Sequence, residues 1–355
     1  MRWLMTTRKL DPTDARAGFM MRWVETLAAR LDHLDVICQE SADPALPPNV
    51  AVYSMGKESG AGRAAQAWWF SQHLRALVPG VDGVFCHMIP RYVLFAAPWT
   101  RLHHKPLWLW YTHREANAEL RLAHALSTRI LTASPGSFPL PSHKVTVMGH
   151  GIETDLFPPS ESENAPPEIV HVARLARIKR QDWLIRAASM LMQRGDVRPF
   201  RVVIVGGPVE HDPGYATELE ALARTLEPMP PVTFTGPLPR DQLAEVLHGC
   251  AAAVNLSPPG LFDKAVLEAM LSAKPTLVTN TDFVPLLGEA SELLYLPYDA
   301  GLDDLADHLA RLLALAPAQR AAMGADSRAR TLAAHSLDGL MDRLAALMQE
   351  DGSRD

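Results

Sequence analysis

From its second residue the chain alternates short apolar runs with stretches of helical period, and this alternation restricts the fold more than any other feature. Residues 2–6 read as a buried strand, 18–31 as an amphipathic helix, and 35–38 and 50–54 as short strands. Helical period follows at 61–77, a strand at 84–87, a helix at 92–102, a strand at 107–111, a helix at 115–126 and strands at 129–133 and 144–147. Strands separated by helices cannot pair as hairpins. Each crossover instead returns the chain to the same end of the sheet, so the sheet is parallel and wrapped by helices.

At 157–167 the text becomes FPPSESENAPP, polar and proline-rich, and reads as a linker. The alternation then restarts, with strands at 168–172, 201–205, 232–235, 252–256 and 276–278, helices at 181–193, 215–226, 240–249 and 264–272, and a helical tail over 303–349. A length of 355 residues is about twice that of a typical domain, which agrees with two doubly wound α/β domains. The expected boundaries are 1–157, a linker at 158–167, and 168–335. Ligands of such sheets sit beyond the carboxyl ends of the strands, and an interdomain cleft is the default site.

With 48% hydrophobic and 21% charged residues the chain is neither disordered nor fibrous. No apolar run approaches the roughly 20 residues of a spanning helix, and the opening residues do not read as a signal peptide, so a cytoplasmic protein is expected. Cys38, Cys86 and Cys250 are too few and too scattered for a disulfide framework or a metal knuckle, and read as buried thiols. Charge is uneven: residues 1–160 hold 16 Lys+Arg against 13 Asp+Glu, and residues 161–355 hold 18 against 27. The basic first half points to an anionic partner, with ordinary scatter as the plain alternative.

Three constellations in the second half carry chemistry. After strand 168–172, Arg174 and Lys179 stand five residues apart in a loop; an Arg grips a diphosphate through paired donors and a Lys adds a point charge. The plain alternative is a solvated basic loop. Next, Gly206 and Gly207 end strand 201–205 and permit close backbone approach to a ligand, while the G-x-G-x-x-G of a NAD or FAD enzyme is absent. Finally, residues 257–275 run SPPGLFDKAVLEAMLSAKP, a strand-to-helix turn whose helix start offers free N–H groups to a phosphate. Lys264 and Glu268 share one face there, placed either to meet phosphate and ribose or to form a surface ion pair.

The Arg174/Lys179 loop, the VGG turn, the segment from Val232 to Pro237 and the LFDKAVLEAM helix resemble, in order and spacing, the donor domain of family 4 glycosyltransferases of the GT-B fold. The resemblance implies that Arg174 and Lys179 bind a donor diphosphate, that Gly236, Pro237 and Leu238 lie against the base, and that Glu268 holds the ribose. It places Gly206, Asp263, Lys264 and Ala265 in the same donor site. The usual first Glu of the motif falls at Gly260, and the usual E-G-F-G turn reads Gly-Leu-Phe-Asp.

In the first half, the loop from Thr13 to Phe19, which includes Arg16, opens the first helix, and Gly18 matches a family glycine near donor sugar and phosphate. His87 and His113 follow successive strands; His113 matches the family histidine that touches the transferred sugar. His113, Arg174 and Lys179 are thus the expected catalytic set, and residues 149–153 resemble the family hinge. The resemblance further implies that a helix at about 336–350 returns to the first domain.

The implied activity is a retaining, metal-independent glycosyltransferase that moves a hexose from a nucleotide-diphosphate sugar to a glycan or lipid-linked acceptor in surface polysaccharide or glycolipid synthesis. No cofactor and no nucleic acid are expected. Without an Asp-x-Asp pair for a metal, cations and helix starts must stabilise the departing nucleotide. A basic first half with Trp3, Trp68, Trp69, Trp99 and Trp108 is compatible with docking at the anionic inner face of a cell membrane. Two alternatives remain: an inactive GT-B scaffold that binds nucleotide or a partner, favoured by Gly260, and a GT-B sugar epimerase, which lacks a clear acidic pair.

Overall fold

A computed structural model describes residues 1–14, 18–195 and 197–352. It divides into two units, the first formed by Met1–Gly151 with the chain from Leu337 onward, the second by Ile152–Ser336. The first is built on β1 (Arg2–Leu10), β2 (His33–Ser41), β3 (Val50–Ser54), β4 (Gly83–His87), β5 (Leu107–Trp110), β6 (Arg129–Thr132) and β7 (Val145–Val147). These strands are all parallel, in the order β3-β2-β1-β4-β5-β6-β7. The order reverses between β1 and β4, which leaves a crevice at their carboxyl ends.

β4 and β5 read GVFCH and LWLW and are buried along their whole length, as a sheet covered on both faces requires. Gly83 is needed for packing: a Cβ there would lie 2.5 Å from the Trp3 ring, which itself packs on Trp108 at a centroid distance of 4.7 Å. β1 runs four residues beyond the expected strand. Its polar end lacks the apolar pattern of a buried strand because it carries an ion cluster, Lys9 with Asp11, Asp14 and Glu40 at 2.9, 2.9 and 3.2 Å.

Of the five tryptophans read as candidates for a membrane surface, Trp3 and Trp108 are instead fully buried and Trp99 is partly so. Trp68 and Trp69 are 55% and 45% exposed. All three cysteines are free and buried.

The last helix, Leu337–Gly352, joins this unit and packs on helix Phe19–Ala28 through Leu340, Met341, Leu344 and Met348. Gly151, at φ 71°, lets the backbone pass beneath it, since a Cβ would meet Leu340 at 2.5 Å. Arg30 clasps the same helix through Asp342 at 2.6 Å and Asp338 at 3.1 Å. No helix among the described residues is long and apolar enough to cross a membrane.

The second unit carries β8 (Glu168–Val172), β9 (Arg201–Val205), β10 (Val232–Gly236), β11 (Ala252–Asn255) and β12 (Thr276–Val278), parallel and ordered β10-β9-β8-β11-β12. Its reversal lies between β8 and β11. The polar segment 158–167 runs along this unit: Ser160 donates to the Ser272 carbonyl at 3.1 Å, Asn164 to the Gly249 carbonyl at 2.8 Å, and Glu163 accepts from the buried Arg320 at 2.8 Å. It buries no apolar face, so hydrophobic patterning cannot detect the attachment.

Gly324, inside helix Pro317–His335, touches the turn that follows helix Lys264–Leu271; a Cβ there would sit 1.8 Å from the Ala273 carbonyl oxygen. Alanine is the better helix former by about 1 kcal/mol, but overpacking against backbone costs about 1–3 kcal/mol. Gly324→Ala is therefore expected to lower the thermal midpoint by several degrees in calorimetry, and a raised midpoint would show that the helix shifts freely.

Candidate functional site

The reversal between β8 and β11 sends the loops after these strands to opposite sides and opens a cavity of about 330 Å³ at their carboxyl ends. Arg174, Lys179, Gly206, Pro237, Leu238, Asp263, Lys264 and Ala265 all line it. Gly236 closes β10 immediately beside it, and Glu268 stands one helical turn beyond Lys264.

Backbone geometry shapes the walls. Gly206 has φ 143°, and a Cβ there would fall 2.0 Å from the Ala173 carbonyl oxygen, so the loops after β8 and β9 touch through a position only glycine can hold. Its N–H donates to the Gly236 carbonyl at 2.9 Å; Gly236 is left-handed at φ 71° and turns the chain into the Pro237–Leu238 wall. The Arg174 carbonyl accepts from the fully buried Gln181 at 2.9 Å, which holds the loop in place. The Arg174 side chain is exposed and makes no hydrogen bond or ion pair among the described residues.

Lys179 is differently placed. Its ammonium donates to both oxygens of Asp263 at 2.6 Å and to Ser257 Oγ at 3.2 Å. These contacts hold the ammonium between Asp263 and Ser257. Asn255 adds a hydrogen bond to Asp263 at 3.1 Å and the Ser257 hydroxyl donates to it as well. Behind them His171 donates from Nε2 to the Lys179 carbonyl at 3.0 Å, and burial pushes this imidazole down to about 4, so it is neutral.

Asp263 occupies the position before helix Lys264–Leu271, where aspartate ordinarily caps the first N–H groups, yet its side chain makes no capping bond. The helix start, without a side-chain cap, borders the cavity. Burial pushes Lys264 down to about 8 against the support of Glu268, while Arg240 lowers it and Glu153 raises it. The Glu268 carboxyl is pushed up, mainly by burial, with Lys264 and Arg240 opposing. Arg240 and Glu153 pair with each other at 3.0 Å. A cavity lined by an unpaired guanidinium, an ammonium and a helix start without a side-chain cap has the chemistry to receive an anion.

Residue types alone did not single out Asn255, Ser257, His171, Gln181, Arg240 or Glu153. The available signal was the polar text Asn-Leu-Ser closing an otherwise apolar strand, where buried polar groups need partners.

The first unit holds the remaining expected residues. Gly18 precedes helix Phe19–Ala28, and a Cβ there would lie 2.9 Å from the Asp14 carbonyl; residues 15–17 of that loop, Arg16 among them, lie outside the described residues. His113 is exposed three residues past β5 and accepts from the Glu115 N–H at 3.1 Å. His87 is buried, stacked with Trp110 and edge-on to Trp23. A second cavity of about 500 Å³ lies beyond β2 and β3, with Lys57, Arg63 and Arg91 around a floor of Phe70, Tyr92 and Phe95. Among the described residues, no three His, Cys, Asp or Glu side chains converge as a metal site.

Residues 166–315 match the family model described as Glycosyl transferases group 1. A D-inositol 3-phosphate glycosyltransferase of Rhodococcus erythropolis is 26% identical over 224 residues, 59% of this chain and 50% of that protein. The chain thus spans about half the length of this curated relative. Among solved structures, sucrose-phosphate synthase from Thermosynechococcus elongatus superposes with a TM-score of 0.75 at 17% identity, covering all of both chains. The Anabaena protein HepE in complex with UDP and glucose gives 0.66 at 16% identity, covering 98% and 99%.

The depressed Lys264 implies a pH dependence. Below about pH 8 it is protonated and attracts an anion; above, it is neutral. Pyrophosphate binding followed by calorimetry is expected to weaken as pH rises through that value, and Lys264→Met should bind more weakly without the step. Equal pH profiles for the two proteins would remove Lys264 from the site.

Proposed function

We propose that this chain, whose two parallel-sheet α/β units have the GT-B fold, is a glycosyltransferase that moves a hexose from a nucleoside-diphosphate sugar to a glycan or lipid-linked acceptor. The observation that carries this reading is the anion-receptive cavity at the β8/β11 reversal, with Arg174 unpaired and the helix start at Lys264 uncapped. The family match over 166–315 and the fold shared with the UDP complex of HepE support the same assignment.

In this mechanism the barrier lies in departure of the nucleoside diphosphate, whose growing charge needs donors already in place. Arg174 meets one phosphate through its forked guanidinium, and the N–H groups at Lys264 meet another. Glu268 accepts from ribose hydroxyls, and the Gly236–Leu238 turn lies against the base. His113 contacts the transferred sugar. Protein cations take the part that a divalent ion plays elsewhere, and retention of configuration rests on the family resemblance.

The acceptor is assigned to the larger of the two cavities, in the first unit, where Arg63 over an aromatic floor suits a small anionic ring compound, Lys57 and Arg91 being paired with Glu40 and Glu119. The relative named for an inositol phosphate is consistent with such chemistry. Trp68 and Trp69 project from the helix Arg63–Leu77, with Arg75 beside Trp68, and this face is assigned to peripheral contact with the inner leaflet of the cell membrane.

One observation favours a second reading, a nucleotide-binding scaffold without turnover: Gly260 stands where the motif has its first Glu, and its φ of 79° disfavours any side chain.

UDP, GDP and ADP should separate these readings. One of them is expected to raise the thermal midpoint of the wild type, and Arg174→Ala should lower kcat/KM with the corresponding sugar nucleotide by roughly a hundredfold, the worth of a charged bidentate contact. Nucleotide binding without turnover on any hexose donor would select the scaffold. Co-sedimentation with phosphatidylserine-containing vesicles should be strong at low salt and fall at high salt. The Trp68→Ser/Trp69→Ser double variant should lose it; undiminished binding would place the membrane contact elsewhere.

A further inference from the structure

The cavity of the first unit holds one uncommitted charge. Of the polar side chains around it, Lys57 pairs with Glu40 at 3.1 Å and Arg91 with Glu119 at 2.6 Å, the Gln66 amide donates to the Ala61 carbonyl at 2.6 Å, and the Tyr92 hydroxyl donates to the Thr7 carbonyl at 3.1 Å. Arg63 makes no hydrogen bond or ion pair among the described residues. Apart from Gln39, the remaining lining is apolar: Met55, Ala67, Phe70, Ile89 and Phe95.

Helix Pro90–Leu102 carries that apolar lining out of the cavity. Arg91, Phe95, Pro98 and Leu102 stand at i, i+4, i+7 and i+11, a single stripe on the side of the helix opposite Val93, Ala96 and Ala97, which are buried in the core. Arg91 and Phe95 line the cavity, and Phe95 packs on Phe70 at a ring-centroid distance of 5.7 Å. Pro98 is exposed, and Leu102, 65% exposed, lies roughly 10 Å beyond Phe95 at the rise of an α-helix. Leu122, also exposed, stands on helix Ala118–Leu126, which packs beside this one. Neither Arg63–Leu77 nor Pro90–Leu102 contains an acidic residue, so neither repels an anion. A soluble acceptor held at Arg63 makes no contact with the outer stripe. An amphiphile with its anionic group at Arg63 and its chain along Phe95, Pro98 and Leu102 buries apolar surface that otherwise faces water.

We propose that the acceptor is linked to a lipid through a phosphodiester: Arg63 binds the phosphate in the first-unit cavity, and the stripe Phe95–Pro98–Leu102 carries the start of the hydrocarbon chain out toward the bilayer. A phosphodiester bears one negative charge, which a single unpaired guanidinium matches. The proposal rests on reading this cavity as the acceptor site, and decides between a glycan and a lipid-linked acceptor for the second.

Calorimetric titration of the full chain with dioctanoylphosphatidylglycerol, kept below its micelle concentration, and with its deacylated head group, glycerophosphoglycerol, tests this. Wild type should bind the lipid more tightly than the head group by about tenfold or more, the worth of roughly two buried methylene groups. Leu102→Ser, at an exposed position, should lose about threefold in affinity for the lipid and none for the head group. Phe95→Ser/Leu102→Ser should bring the lipid down to the level of the head group, and Arg63→Gln should weaken both probes alike by about tenfold, the loss of a charged hydrogen bond. Equal binding of the two probes by wild type would mean that the cavity takes a soluble phosphate ester. Lipid binding unchanged in Leu102→Ser and in the double variant would place the chain elsewhere, and unchanged binding in Arg63→Gln would place the phosphate elsewhere; any of these results overturns the proposal. Should the double variant fail to fold, Leu102→Ser decides alone: a loss confined to the lipid supports the assignment and no loss overturns it. The titration contains no sugar nucleotide, so a wild type that binds neither probe overturns this proposal even where a nucleotide binds and turns over, whereas failure with every nucleotide overturns the transferase reading beneath it.

Discussion

The Lys179–Asp263 ion pair ties together the two loops that leave the second sheet in opposite directions at its reversal. Eighty-four residues separate the partners, and the cavity exists because their loops are held at a fixed distance. An enclosed ion pair is a poor source of net stability, since desolvation of both charges offsets much of their attraction. Its value here is geometric. Ser257 and Asn255 satisfy the remaining lone pairs, and neutral His171 carries the backbone beneath Lys179 without adding a second positive charge. The network holds the Asp263 carboxylate, which makes no capping bond to the helix it precedes.

Around that network, local charge and domain charge have opposite signs. The half of the chain after residue 160 carries nine more acidic than basic groups, yet its cavity presents Arg174 and Lys264 to an anion. Field strength in a pocket depends on the nearest few groups and on how poorly water screens them. Arg240 and Glu153 illustrate the point: they neutralise each other at 3.0 Å and leave Lys264 and Glu268 to respond chiefly to burial.

Much of the architecture was legible in the sequence because buried parallel strands announce themselves. GVFCH and LWLW admit no polar face, and helices between such runs imply a parallel sheet. The end of β1 was less legible, since Lys9 is held by three carboxylates and breaks the apolar pattern. Tryptophan exposure was legible only in part: Trp3 and Trp108 pack against each other across strands distant in the chain, and no local pattern reports that. In the site, motif order picked out loops that line one cavity, but the state of each side chain depends on a partner far away in sequence. Asp263 reads as a helix cap by position, and only Lys179, eighty-four residues earlier, explains why it is not one.

The placement of the final helix bears on the order in which the molecule assembles. During synthesis the second unit, Ile152–Ser336, leaves the ribosome as one continuous stretch and has its whole core available. The first unit, although begun earlier, lacks Leu340, Met341, Leu344 and Met348 until the whole second unit has been made, so Trp23, Leu27 and their neighbours stay uncovered for that time. The first sheet is thus begun before the second unit and sealed after it, so a partly covered core persists while the second unit is made.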